Sequence, residues 1–235
     1  MTPIRQQWPM RTLLDRLAPA TARALLNLGV EQRVPAGRVL IREGAAESHV
    51  IVLQHGITKV TAATADGRSA LLSIRVAGDL IGEMSALSGT PRSATVTMCG
   101  AGTIRLVHRR DFTPFLSSYP DAALMLAAMV ADRLAWSNRQ RIDFTSYPVK
   151  TRLARILTEM AELYGLSRAR GALEIGVRLT QPELATMCGA AEISVQKALR
   201  DLRRSNVVTS RYGRITVWDL SALRGSADLK PHQRS

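Results

Sequence analysis

Between Val30 and His108 apolar and polar residues alternate in short runs, VEQRV, GRVLIR, SHVIVLQ, ITKVTAA, RSALLSIRV, ATVTM and TIRLVH, broken by Gly37, Gly44, Gly56, Asp66-Gly67, Gly78-Asp79 and Gly100. Alternation with turn residues at the breaks marks strands that bury one face, and so many at close spacing predict an antiparallel sandwich or barrel. ADGR at 65 to 68 predicts a tight two-residue hairpin, because Asp-Gly accepts the positive φ such a turn demands.

The period changes at Arg109. From there to Asp143 the spacing is helical, interrupted at Tyr119-Pro120, where proline suits the first turn of a new helix. Leu124, Ala127, Ala131, Leu134, Asn138 and Ile142 recur every three or four residues, an apolar stripe that packs on the β-domain or pairs with a second copy. Small alanines along so long a helix favour the pairing, and a homodimer is the expectation. Pro148 disfavours helix at Tyr147, while Ser146 is placed to cap the helix that resumes with VKTRLARILTEMAELYG. The expected organisation is a β-barrel domain over 1–119, a dimerisation helix and hinge over 120–147, a second domain over 148–224 and a disordered polar tail over 225–235.

LTQPELATMCGAAEISVQKALRDLRRSNVV, residues 179 to 208, reads as two helices and a tight turn. Thr180 with Glu183 three residues on forms a capping box, Pro182 sits in the first turn, and Gly189 allows the sharp exit. Val195, Ala198, Leu199 and Leu202 share one face of the second helix, leaving Glu192, Gln196, Lys197, Arg200, Arg203 and Arg204 on the others. SRYGRITVWDL at 210 to 220 follows as a β-hairpin turning at Gly213. This is the layout of a winged helix-turn-helix whose second helix enters a DNA major groove.

The charge agrees with that reading. The chain has 235 residues, 46% of them hydrophobic, with a formal net charge of +13; the core is sufficient for two domains, and the basic excess suggests a polyanionic partner. Fifteen basic and eight acidic residues fall from Pro148 onward, so charge density is higher at the C-terminal end. Lys197, Arg200 and Gln196 are expected at base edges, since long donors pair with guanine and a glutamine amide with adenine. Thr180, Gln181, Ser194, Arg211 and Arg214 are expected at phosphates, which set register without carrying sequence information.

Other classes lose support. The longest apolar run, AALMLAAMVA at 122 to 131, is about half of the roughly 20 residues that cross a bilayer, and MTPIRQQWPMRTLLDRL at the N-terminus lacks the continuous apolar core of a secretory leader. A cytoplasmic protein without a membrane partner is expected. Cys99 and Cys188 lack neighbours at metal-ligand spacing and read as reduced, partly buried thiols, so neither a metal nor a metal cofactor is expected. With no nucleophile beside a plausible base, the chain does not read as an enzyme.

A β-barrel, a long helix and a winged helix-turn-helix, in that order, resemble the CRP/FNR family of bacterial transcription regulators from about Leu13 to Leu223. The sharpest likeness is Gly82-Glu83-Met84-Ser85-Ala86-Leu87 with Thr90-Pro91-Arg92-Ser93-Ala94-Thr95, which is similar to the phosphate-binding cassette of cyclic-nucleotide-binding domains. The resemblance implies an α+β fold with an N-terminal antiparallel jelly roll, a dimerisation helix and a C-terminal winged helix-turn-helix. It implies that Glu83 takes the ribose 2′-hydroxyl and Arg92 the cyclic phosphate, that Ser93 adds a phosphate or base contact, and that backbone amides from Gly82 through Met84 to Ser85 complete the cradle. A phosphodiester does want a guanidinium and amide donors, and a ribose hydroxyl a carboxylate. Ser137 and Asn138 match the family's purine contacts. The implied ligand is an allosteric cyclic nucleotide, cyclic AMP before cyclic GMP, and the implied partners are double-stranded DNA, a second copy and RNA polymerase. A family member that has lost its ligand and answers to another signal or to its own abundance is the alternative. The recognition helix departs from the family's Arg-Glu-Thr-Val-Gly-Arg, reading Glu192-Ile193-Ser194-Val195-Gln196-Lys197. A different operator is therefore expected, with Ile193 available to a thymine methyl.

Overall fold

The computed structural model describes residues 8–229. Residues 1–7, where the N-terminal stretch read for a leader begins, and 230–235, the end of the polar tail, lie outside the described residues. The chain divides into two compact units, one made of residues up to Gly67 with Leu72–Ala135, the other of Arg68–Leu71 with Trp136 onward.

The first unit begins with α1 (Leu13–Arg16) and α2 (Pro19–Leu26) and continues through β1 (Val30–Val34), β2 (Val39–Ile41), β3 (Val50–His55), β4 (Ile57–Ala63), β5 (Ser69–Val76, whose first three residues fall in the second unit), β6 (Leu80–Ile81), α3 (Glu83–Ser88), β7 (Thr95–Met98), β8 (Gly102–Val107), α4 (Arg109–Ser118) and the start of α5 (Pro120–Ser146). Its strands form two four-stranded antiparallel sheets, ordered β1-β8-β3-β6 and β2-β7-β4-β5. Strand β3 is buried on both faces. Ile51 and Leu53 meet Ile41, Val96 and Met98 of the other sheet between the layers, whereas Val50 and Val52 face Leu25, Phe112, Leu126 and Met129 of the helices. Period-2 alternation thus divides one apolar run, VIVL, between two cores.

All seven strand-like runs of the sequence form strands. The ADGR expectation needs correction: β4 ends at Ala63 and β5 starts at Ser69, so the connection spans residues 64–68 rather than two. Gly67 does take a positive φ of 78°, but its N–H bonds to Thr64 O at 2.9 Å, closing a turn inside a longer loop. β6 and α3, both short, carried no readable periodicity.

The second unit contains the end of α5, then α6 (Val149–Tyr164), β9 (Gly165–Ser167), β10 (Leu173–Ile175), α7 (Gln181–Cys188), α8 (Glu192–Arg204), β11 (Val208–Arg211), β12 (Arg214–Val217) and α9 (Leu220–Ser226). A sheet ordered β11-β12-β10-β9 backs the helices. Ser146 is the last residue of α5, and α6 starts behind Pro148 with no side-chain cap; the proline's fixed φ sets the break without Ser146 capping it. Asp143 pairs with Arg155 at 3.0 Å and Trp136 Nε1 donates to Glu159 at 2.6 Å, fixing α6 against the end of α5. The expected tail at Gly225 is ordered further than its polarity suggested: α9 runs through Ser226, Ala227 is buried, and its carbonyl accepts from Arg155 Nε at 2.9 Å.

Cys99 is exposed, not partly buried, and Cys188 is buried. Burial pushes the Cys188 thiol up to about 12, against a smaller opposing effect of the Arg152 charge. Because the thiolate is the nucleophile, iodoacetamide at pH 8 is expected to alkylate Cys99 in the native protein and to reach Cys188 only after unfolding, as read by intact mass.

Candidate functional site

In the first unit, the chain leaves β6 through Gly82 at φ 84°, makes the short helix α3, and exits through Gly89 at φ 73°. A Cβ on Gly82 would lie 2.6 Å from Arg92 Nη1 and 3.1 Å from His49 O, so glycine supplies both the left-handed backbone and the close approach. Arg92 is 3% exposed. Its Nη1 donates to Gly82 O at 2.9 Å and its Nη2 to His49 O at 2.6 Å, while Nε is buried without a hydrogen-bond partner. Burial lowers the Arg92 pKa, opposed by the charges of Glu47 and Glu83. Burial and then the Arg92 charge also lower that of His49, which keeps its imidazole neutral at pH 7.

Glu83 is buried too, and its partner is not Arg92. Arg133 of α5 donates from Nη1 to Glu83 Oε1 at 2.6 Å and from Nη2 to Leu80 O at 2.9 Å, and lies 3.5 Å from Asp79 Oδ1. Arg133 did not stand out in the sequence, although a signal was there. Ala122, Leu126 and Met129 are buried, and the same four-three spacing continued once more reaches Arg133. An arginine on a buried stripe requires a carboxylate or carbonyl partner.

Gly82, Glu83, Met84, Ser85, Arg92 and Ser93, all expected at the ligand, line one cavity together with Arg133 and Arg75. Its volume is about 90 Å³, well under the roughly 300 Å³ at which small-molecule pockets begin. Ser93 is exposed, with its hydroxyl 4.0 Å from Met84 Sδ. Ser137 and Asn138 are exposed on the part of α5 that belongs to the second unit, and neither lines this cavity.

The second unit carries the other site. Thr180 accepts from Glu183 N–H at 3.3 Å, and Glu183 accepts from Thr180 N–H at 2.7 Å, the capping box the sequence predicted. Gly189 turns the chain at φ 56°, ψ 45°. A Cβ there would meet the Phe144 ring at 2.9 Å, and Arg152 Nη1 donates to both Phe144 O and Gly189 O at 3.2 and 3.4 Å, capping the ends of α5 and α7 with one cation. Val195, Ala198, Leu199 and Leu202 are buried as expected. Lys197 and Arg200 are exposed, Glu192 and Ser194 are half-buried, and Ile193 is 75% exposed. Gln196 Nε2 donates to Gln181 Oε1 at 2.5 Å, linking α8 to the start of α7.

Strands β11 and β12 pair through Arg211↔Arg214, with Tyr212 and Gly213 between them at φ 48° and 76°. Two positive φ values in a two-residue loop define a type I′ turn. Arg211 is exposed, but Arg214, expected at a phosphate, donates to Glu174 Oε1 at 2.9 Å. Hydrogen bonding from Arg168, and with it Arg214, holds the Glu174 carboxyl below the usual range. Strand β10, which carries Glu174, was not legible in the sequence, so this partner was hidden.

Comparison with known proteins follows the same division. Residues 31–119 match the cyclic nucleotide-binding domain family, and residues 151–225 match the Crp-like helix-turn-helix domain family. The chain is 29% identical over 167 residues, 71% of its length and 74% of the relative's, to a CRP-like cAMP-activated global transcriptional regulator of Mycobacterium tuberculosis. It is 24% identical over 186 residues, 79% of its length and 78% of the relative's, to the anaerobic regulatory protein of Bacillus subtilis. Among solved structures, a CRP/FNR-family transcriptional regulator from Thermus thermophilus superposes with a TM-score of 0.71 at 21% identity, over 86% of this chain and 100% of that one.

Proposed function

This chain belongs to the CRP/FNR family of transcription regulators, which are not enzymes, and from that premise we propose a homodimeric regulator whose DNA affinity is set by a cyclic nucleotide, cyclic AMP before cyclic GMP. The observation that carries the reading is the shared cavity of Glu83, Arg92 and Arg133, because Arg133 belongs to α5, which runs on from the first unit into the second. The buried guanidinium of Arg92 takes the phosphate and Glu83 the ribose hydroxyl, with cradle donors from Gly82, Met84, Ser85 and Ser93. Ser137 and Asn138 take the purine. The Mycobacterium tuberculosis relative is named as cAMP-activated, which supports cyclic AMP.

The cavity, at about 90 Å³, is small for a nucleotide, and binding is expected to widen it as Arg133 gives up or shares Glu83. A ligand that prefers one state biases the equilibrium by that preference alone. Dimerisation uses the exposed face of α5: Leu124, Leu134 and Ile142 are each at least 60% exposed, rather than packed on the β-sheets, and the small Ala127 and Ala131 between them are exposed too. In the dimer the two α8 helices stand about 34–36 Å apart, the length of one turn of DNA, so that each meets the major groove on the same side of the duplex. RNA polymerase is the further partner such a regulator needs. No single helix among the described residues is long and apolar enough to cross a membrane, and we place the protein with its DNA in the cytoplasm.

A second reading, a regulator without a nucleotide ligand, draws on the small volume of the same cavity and on Glu83 being satisfied by Arg133. Calorimetry with cyclic AMP and cyclic GMP separates the two. The proposal expects heat with the wild type and none with Arg92→Leu; no heat with either nucleotide on the wild type leaves the cassette a structural element.

A further inference from the structure

Behind Arg92 stands a histidine to which the cyclic-nucleotide reading gives no role. His49 immediately precedes β3, and the antiparallel Val50↔Val107 pairing of β3 with β8 brings it alongside His108. Its carbonyl accepts from Arg92 Nη2 at 2.6 Å and stands 3.1 Å from where a Cβ on Gly82 would lie. The backbone of His49 is thus wedged between the two ends of the cassette, and a shift of this residue is passed to the Arg92 guanidinium.

The imidazole itself is poorly satisfied. Its side chain is 14% exposed, and Nδ1 lies 3.9 Å from Glu47 Oε2, too far for a hydrogen bond. Nε2 is buried with no hydrogen-bond partner among the described residues. Burial lowers the His49 pKa below the ordinary 6.5, and three charged neighbours act on it besides. Arg92 of the cassette lowers it further, Glu47 of its own loop raises it, and His108 at the start of α4 lowers it. The free protein near pH 7 therefore carries this ring neutral.

An anion on Arg92 changes the balance, because a cyclic phosphate offsets the guanidinium charge that opposes the imidazolium. From this arrangement we propose that His49 is a positioning residue that acts through Arg92 and takes up a proton when the cyclic nucleotide binds, so that affinity rises as the pH falls. The proton comes from the buffer; both ring nitrogens then carry hydrogen, and the ring closes on Glu47 as a charge-assisted pair. The sign follows from linkage: the complex binds more protons than the free protein, so acid favours it. The gain is absent where neither form is protonated, grows as the pH falls through the value in the complex, and is complete below the lowered value of the free protein. It rests on the cyclic-nucleotide reading above and adds a pH response to that site.

The test is calorimetry of cyclic AMP and cyclic GMP with the full chain from about pH 5.5 to about pH 8, across the range in which histidine titrates, in two buffers of different ionisation enthalpy. The wild type is expected to bind about threefold tighter or more at the acid end, as a rise of roughly half a unit in the His49 value would give. Its heat in the acid range is expected to depend on the buffer, as proton uptake requires. His49→Gln keeps the carbonyl that holds Arg92 and is expected to flatten both the pH profile and the buffer dependence. His108→Gln is expected to keep both. Glu47→Gln, measured whether or not His49→Gln folds, removes the carboxylate that favours the imidazolium and is expected to move the profile to lower pH. A flat wild-type profile with buffer-independent heats, a dependence that persists in His49→Gln, or an unmoved profile in Glu47→Gln overturns the proposal alone. A wild type that gives no heat with either nucleotide at any pH overturns the cyclic-nucleotide reading with it.

Discussion

Alanine at both Lys197 and Arg200 is expected to cut affinity for the operator, selected by the wild-type protein from random duplexes, by about 2–6 kcal/mol, at roughly 1–3 kcal/mol for each base-edge contact. That is a loss of roughly thirtyfold to more than ten-thousandfold. Thermal stability is expected to change little, because both side chains are exposed while Val195, Ala198, Leu199 and Leu202 anchor α8 in the core. The check is a mobility-shift titration beside a melting curve. Loss at a base edge depends on sequence, whereas loss at a phosphate weakens every sequence alike.

Arg133→Leu is expected to lower the stability of the first unit by about 3–5 kcal/mol, the usual cost of stranding one member of a buried ion pair. Glu83 would remain with a side chain only 7% exposed, and Leu80 O would lose its guanidinium donor. Adding Glu83→Gln removes the stranded charge and is expected to restore much of the loss, so the double variant should melt higher than Arg133→Leu alone. Under the proposed mechanism that double variant folds without answering to nucleotide. Differential scanning fluorimetry of the four proteins in the cycle reads the stability arm, and calorimetry reads the response. A cycle with no coupling between Glu83 and Arg133 would remove the ion pair from the account.

Where local chemistry decides the structure, the sequence was readable. Thr180, Glu183, Pro182 and Gly189 specify a helix start and stop within ten residues, and β-branched alternation specifies the longer strands. Where a partner lies far along the chain, the sequence was silent. Glu83 and Arg92 stand nine residues apart in one cassette and read as two contacts to one ligand, while the structure gives Glu83 to Arg133, fifty residues away, and gives Arg92 to two backbone carbonyls. Arg214 illustrates the same limit: its charge beside a turn was legible, and its contact with Glu174 of β10 was not. The long helix has two apolar stripes. The one singled out by its regularity, Leu124 to Ile142, is the exposed one, and the buried one packs in the core and leads to Arg133, which lines the cavity.

Under the proposed mechanism, nucleotide in the Glu83–Arg92–Arg133 cavity controls DNA binding by α8. Operator affinity measured by anisotropy with and without cyclic AMP, on the wild type and on Arg92→Leu, tests it most directly. Cyclic AMP is expected to tighten wild-type binding at least fivefold, the lower end of allosteric coupling at about 1 kcal/mol, and to leave Arg92→Leu unmoved. Equal operator affinity of the wild type with and without nucleotide would contradict it.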